Sequence, residues 1–370
     1  MSEIETLIIF FVFLFTASLL YSRKKKRESL FSYLINLELE YVIVGIVLFF
    51  LTDKLPIPIT TMNGIMYLLL AFMGLALGTH FSIKLLMTVP YRFFIFSGII
   101  YIVMIPLLYI VLLNLKCRYP LMMSIALNTL MPYSVNLTMK LFRVPKDKVF
   151  ISNLTASLFP LITLLAYTFA AGVEDYRPVD FMKSFVSALA LAAVFLHYGK
   201  IRSKKSVHNL SILFVVLISG IAVFYKISPL VLGFLVGFVT SDTKYGNIFQ
   251  NMSITFERIL YIFFYVALGV MLAYGFTFSF EVVITAGGIY VCFMLVRMVM
   301  AKVLAERLMP TKGELIMLVS TGILPAVMLL DFGSRHGYES VAGLFGPFFL
   351  VHLATEITTY LMMKNERKTD

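Results

Sequence analysis

The chain has 370 residues, 60% of them hydrophobic and only 14% charged, against roughly half apolar and a quarter charged in ordinary soluble domains. Apolar stretches of about 20 residues, each enough to cross a bilayer, recur along the whole length and exclude a soluble enzyme with one large core. The formal net charge of +11 is therefore read as the asymmetry of membrane loops and not as a nucleic-acid footprint.

Thirteen spans are expected, near 5–22, 33–52, 62–80, 92–113, 120–139, 148–171, 182–198, 208–225, 228–241, 255–275, 281–304, 313–332 and 342–363. The first follows Glu3 and Glu5 and precedes the basic run from Arg23 to Arg27. A signal peptide has the opposite charge order, so this segment is expected to span the membrane with its N-terminus outside. Glu38 and Glu40, at the start of the second span, are expected to be interfacial. The fifth span carries Asn128 and Thr129 before Pro132. The sixth holds Ser157 and no Asp or Glu between Asp147 and Glu174. The eleventh has Arg297 near its middle. The twelfth carries Ser320 and Thr321 before Pro325, with Asp331 expected in an outer vestibule. The thirteenth contains Glu356.

Charge orients these spans. With the N-terminus outside, 23 Lys and Arg fall on the cytoplasmic side and seven outside, and Arg297 is the remaining one of the 31. This places the C-terminus in the cytoplasm and the chain in the cell membrane. Loops are short, so 1–370 reads as a single transmembrane transporter domain.

The fifth span, ALNTLMPYSVNLTMKLF, and the twelfth, LVSTGILPAVMLLDFG, each set a small polar pair before a proline. They lie seven helices apart, an odd number, so equivalent helices cross in opposite directions. The expected fold is all-α: two inverted six-helix repeats, 1–175 and 206–370, joined by a linker helix within 176–205, with two crossed Pro-broken helices. A proline removes an N–H and clashes with the preceding turn. The freed carbonyls are tolerated in a bilayer only against protein or a watery cavity. Paired breaks therefore point to a midplane substrate site, alternating access and no simple pore.

The stretches LALGTHFSIKLLM, FERILYIFFYVALGVML and CFMLVRMVMAKVLAERLMPTKGELIMLVSTG, in that order, resemble the monovalent cation:proton antiporter superfamily of sodium/hydrogen exchanger-like proteins. The resemblance implies thirteen helices, cation/proton antiport and a homodimer. It also implies one or two carboxylates in the sixth helix, and there the matching positions hold Ser157 and Leu158. A second resemblance, confined to MPYSVNLTMKLFRVPKDKVFISNLTASLFPLITLL, is to the auxin efflux carriers and the bile acid:sodium symporters, which move organic anions.

The candidate substrate or ion site comprises Asn128, Thr129, Pro132, Ser157, Ser320, Thr321, Pro325, Arg297 and Glu356. Hydroxyl, amide and freed carbonyl oxygens suit a hard monovalent cation, with Glu356 or Asp331 handling the proton. Arg297 and the half-helix N-termini suit a small organic anion instead. Arg297 paired with Glu356 as a structural lock stays open, as does a non-transporting sensor or assembly subunit. An ionisable group in a span costs roughly 2.5–3.5 kcal/mol on insertion scales, which makes each one a functional candidate. In the repeat register Glu356 falls opposite Thr163, so the second repeat would supply the carboxylate that the first lacks. There is no phosphate-cradling GxxxxGK[ST] run or nucleophile elbow, so no enzyme is expected. His80, His197 and His352, and Cys117 and Cys292, lack metal-ligand spacing, so neither metal nor cofactor is expected.

Overall fold

The structure is a computed structural model that describes residues 30–52, 59–81, 83–142, 144, 146–174, 179–201, 204–275, 280–308 and 322–369. Among them the chain is all-helical, with no strand. The expected span 5–22, and 313–321 of the twelfth, lie outside the described residues. Among the described residues four helical stretches are long and apolar enough to cross a membrane: Tyr91–Asn114, Arg258–Gly275, Val282–Val299 and Tyr338–Asn365. Shorter apolar helices lie between them. The polarity is that of a membrane-embedded protein. Ile102, Phe224 and Leu295 are exposed, whereas Asp331, Arg297 and Glu356 are buried. Helices suit such a solvent because each satisfies its own backbone.

Two helix pairs are fused at backbone distance. Helix α2 (Glu40–Thr52) lies against α12 (Lys244–Gly275), and α3 (Ile59–Thr79) against α11 (Pro229–Thr240). Glycine permits the approach. A Cβ on Gly74 would stand 2.1 Å from the Leu230 carbonyl oxygen, and one on Gly233 2.3 Å from that of Ala71. Gly78 and Gly237 extend this seam, while Gly45 and Gly269 form that of the other pair. Small residues of this kind allow apolar helices to associate where no water drives them together. Helix α10 (Lys204–Tyr225) packs beside α3 and α11, and α9 (Val179–Ile201) packs mainly on α11.

The second packing group contains α5 (Tyr91–Asn114), α6 (Pro120–Leu127), α7 (Pro132–Phe142), α8 (Lys146–Glu174), α13 (Phe280–Leu308), α14 (Leu324–His336) and α15 (Tyr338–Thr369). Short helices α1 (Leu30–Asn36) and α4 (Ile83–Thr88) complete the described elements. Tyr33 of α1 reaches α15.

The fifth expected span is two helices, α6 and α7, separated by 128–131. Helix α14 follows Gly322, whose φ of 65° is the left-handed conformation that only glycine adopts without strain. The prolines act differently from the expectation of mid-helix breakage. Pro132 is the first residue of α7, and Pro325 lies in the first turn of α14. At those positions the missing N–H costs no helical hydrogen bond, and the fixed φ favours a helix start. Pro106, Pro160 and Pro347 are carried inside continuous helices. The start of α14 touches the break between α6 and α7: a Cβ on Gly322 would meet Met131 Cβ at 2.4 Å and Ser134 Oγ at 2.7 Å.

Candidate functional site

Three helix ends in the interior are matched by buried charges of the opposite sign. The last carbonyls of a helix carry partial negative charge and its first N–H groups partial positive charge. At the end of α6, the Arg297 guanidinium donates from Nη2 to the carbonyl oxygens of Asn128 at 3.2 Å and Thr129 at 3.4 Å. It also lies over the Phe293 ring, 4.4 Å from its centroid. Arg297 is 2% exposed. The backbone oxygens proposed for a cation at this break thus have a resident cation of the protein's own. Beside it, Tyr101 of α5 donates its hydroxyl to the Phe159 carbonyl at 3.3 Å.

At the other break, Glu356 of α15 is fully buried. Its Oε1 is 3.5 Å from the Gly322 N–H, just ahead of α14, and 4.0 Å from His352 Nδ1, one turn away on α15. Its Oε2 is 3.0 Å from the Tyr33 hydroxyl. Tyr33 continues to the Thr138 hydroxyl at 3.2 Å, and Thr138 donates to the Ser134 carbonyl at 2.8 Å. His352 stacks on Phe348 and on Tyr265 of α12. The carboxylate therefore joins α1, α7, α14 and α15 around the point where the breaks meet.

Asp331 forms a third centre. It was expected in a vestibule, but it is fully buried. Its Oδ1 accepts from Ser228 Oγ at 2.9 Å and from the Leu230 N–H at 3.3 Å, at the start of α11. Its Oδ2 accepts from the Tyr167 hydroxyl and pairs with Arg335 Nη2 at 3.4 Å. Arg335 also donates to Tyr167 at 2.8 Å. The reason for the burial is geometric: the middle of the short helix α14 carries Asp331 onto the N-terminus of α11. Glu38, expected to be interfacial, is likewise buried and pairs with Arg258 Nε at 3.2 Å.

The sequence-derived candidates fall into groups. Asn128, Thr129 and Arg297 meet at the end of α6. Pro132 and Pro325 begin the helices that leave the two breaks, and Glu356 stands against Gly322. Ser157 lies half-buried on α8. Ser320 and Thr321 lie outside the described residues. Asn128 is fully buried, and neither atom of its side-chain amide has a hydrogen-bond partner among the described residues; the Thr163 hydroxyl is in the same condition. Such groups are costly unless something polar meets them.

Sequence reasoning missed Tyr33, Thr138 and Gly322, and it set His352 aside as unpartnered. Thr138 had a signal, because Ser134 and Thr138 lie four apart and share one face of α7. Tyr33 had none, being 323 residues from Glu356. No group of three or more metal-ligating side chains occurs among the described residues. No protein-family model matches the chain, and no curated protein matches it.

Proposed function

We infer that the chain is a secondary-active membrane transporter that exchanges a monovalent cation for protons by alternating access, with Glu356 as the proton-carrying carboxylate. The observation that carries this reading is a fully buried carboxylate set against the start of α14, which touches the break between α6 and α7. An ionisable residue at such a position is expensive in a membrane and is kept for function by default. Broken helices beside it are the arrangement that transporters use to bind ions away from water. In this reading the chain crosses the cell membrane thirteen times in two inverted repeats, with its N-terminus outside and its C-terminus in the cytoplasm. The lysine and arginine distribution and the apolar helices support that topology. The sixth helix lacks the carboxylate of the proteins it resembles, and Glu356 from the second repeat takes its place.

Purified protein in liposomes with an internal pH dye, pulsed with Na⁺, Li⁺ or K⁺ across an imposed pH gradient, tests the exchange. Cation-dependent proton movement is expected with at least one of them. Its absence with all three removes the exchanger reading.

One observation favours a second reading, an ion-coupled organic-anion carrier. The unsatisfied Asn128 amide lies at the same break as the Arg297 guanidinium, and together they suit a carboxylate. Uptake of a small carboxylate lost in both Arg297→Lys and Asn128→Ala would establish it. Uptake retained in both would dismiss it.

A further inference from the structure

The hydrogen bonds that Glu356 makes differ between its two protonation states. Three contacts run in series: Glu356 Oε2 to the Tyr33 hydroxyl at 3.0 Å, Tyr33 to the Thr138 hydroxyl at 3.2 Å, and Thr138 to the Ser134 carbonyl at 2.8 Å. The last group is an acceptor only, and each hydroxyl brings a single proton. If Glu356 is ionised, two protons serve three contacts. Either the Tyr33 and Thr138 oxygens face each other with no proton between them, or the Ser134 carbonyl loses the Thr138 hydroxyl. If Glu356 carries a proton, it donates to Tyr33, Tyr33 donates to Thr138, and Thr138 donates to Ser134. Every contact is then made.

We propose that Tyr33 and Thr138 form a polarised hydrogen-bond wire that positions the transported proton on Glu356 and holds the site in its proton-bound state. The proposal rests on the reading of Glu356 as the proton carrier. Loading the carboxyl reverses the direction in which Tyr33 donates, and unloading restores it. Tyr33 belongs to α1 and Thr138 to α7, so the proton on α15 fixes the hydrogen bonding of two other helices. Both hydroxyls act as positioning groups, and neither carries the proton away.

The titratable groups around Glu356 include Tyr33 from α1, His352 and Tyr360 on α15 itself, Tyr360 being in ring contact with Tyr33, and Tyr265 of α12, which stacks on His352. Helix α7 contributes Thr138, and the start of α14 contributes the Gly322 N–H. Asp331 and Arg335 of α14 face the start of α11, Tyr290 of α13 meets Thr358, and Arg297 of α13 lies on the end of α6.

The sign of the effect follows from the count. Thr138→Val removes two contacts from the protonated state and one from the ionised state, so it weakens proton binding. One neutral hydrogen bond corresponds to a fall in the titration midpoint of roughly half to one pH unit. Without Tyr33 the relay is cut, and loss of Thr138 then costs both states the same single contact. Thr138→Val in a Tyr33→Phe background therefore leaves the midpoint where Tyr33→Phe alone puts it. Thr138→Ser keeps the hydroxyl and keeps the wild-type midpoint.

The experiment is an infrared pH titration of the full-length protein in lipid. It follows the carbonyl stretch of the protonated carboxyl, assigned by its loss in Glu356→Gln, and needs no substrate. A lower midpoint in Thr138→Val, an unchanged one in Thr138→Ser and no further change in the Tyr33→Phe background are expected. If Glu356→Gln removes the band and Thr138→Val titrates like wild type, the wire is overturned while the Glu356 site stands. A Thr138→Val shift of equal size in the Tyr33→Phe background also overturns it, because the effect then bypasses Tyr33. If no titrating band is lost in Glu356→Gln, the assignment of Glu356 as proton carrier falls first.

Discussion

Asp331 and Glu356 are both buried carboxylates on the helices around the breaks, yet their surroundings assign them different work. Asp331 has a guanidinium at 3.4 Å, and donors from Ser228, Leu230 and Tyr167 cover both its oxygens. A carboxylate so compensated acts as a clamp between α14 and α11. Removing one partner of a buried ion pair leaves the other uncompensated, at a cost of about 3–5 kcal/mol. Asp331→Ala is accordingly expected to lose about that much stability, seen as a large fall in the thermal unfolding midpoint in detergent. Glu356 has polar neighbours suited to either protonation state, the Tyr33 hydroxyl and the His352 ring. Glu356→Gln retains a similar shape and is expected to unfold near the wild-type temperature. Equal losses for the two variants would contradict this division of labour.

Glycine decides the packing at the scale of the helix, in two distinct ways. Along the α3–α11 seam it removes side-chain bulk so that backbones touch; a Cβ on Gly74 has 2.1 Å to the Leu230 oxygen. Overpacking against backbone is relieved only by separating the helices, and overpacking in general costs about 1–3 kcal/mol. Gly74→Leu and Gly233→Leu are each expected at or above the top of that range, measured as lost folded yield on size-exclusion chromatography. Exposed Gly287, with open space where its Cβ would be, is expected to accept the same change. At Gly322 the backbone itself requires glycine, with φ at 65° and Met131 in the path of a Cβ. Gly322→Ala adds about 1–2 kcal/mol of left-handed strain and pushes the two breaks apart. It is expected to lower transport more than Gly322→Ala-sized changes at Gly98, which has open space around it. Similar transport in Gly322→Ala and Gly98→Ala would argue against the contact between the breaks as a working part of the site. Of these features the sequence made only some legible. Long apolar runs announce helices because the bilayer tolerates little else, and the Asn-Thr pair before Pro132 marked where α6 stops. The local pattern did not reveal that the prolines start the next helices, because the same residue at 106, 160 and 347 interrupts nothing. Glu356 was visible as a charge in an apolar span. Its partner Tyr33, the burial of Glu38 and the docking of Asp331 on α11 were not, since packing between distant segments chooses them.

For the whole molecule, the glycine-fused helices and the group that carries the breaks are packed as separate sets. They meet where Asp331 clamps α14 to α11 and His352 stacks on Tyr265 of α12. The proposed transport needs a site that changes access without unfolding, and a glycine-packed set beside the set holding the site is a natural division for that purpose. In the proposed cycle a proton on Glu356 is exchanged for a cation. Proton flux into liposomes, driven by the cation selected in the pulse assay, tests it most directly when wild type and Glu356→Gln are compared at equal reconstituted amounts across a pH series. Cation-driven proton flux is expected in wild type and none above empty liposomes in Glu356→Gln at any pH. Flux with an unchanged pH dependence in Glu356→Gln would contradict it.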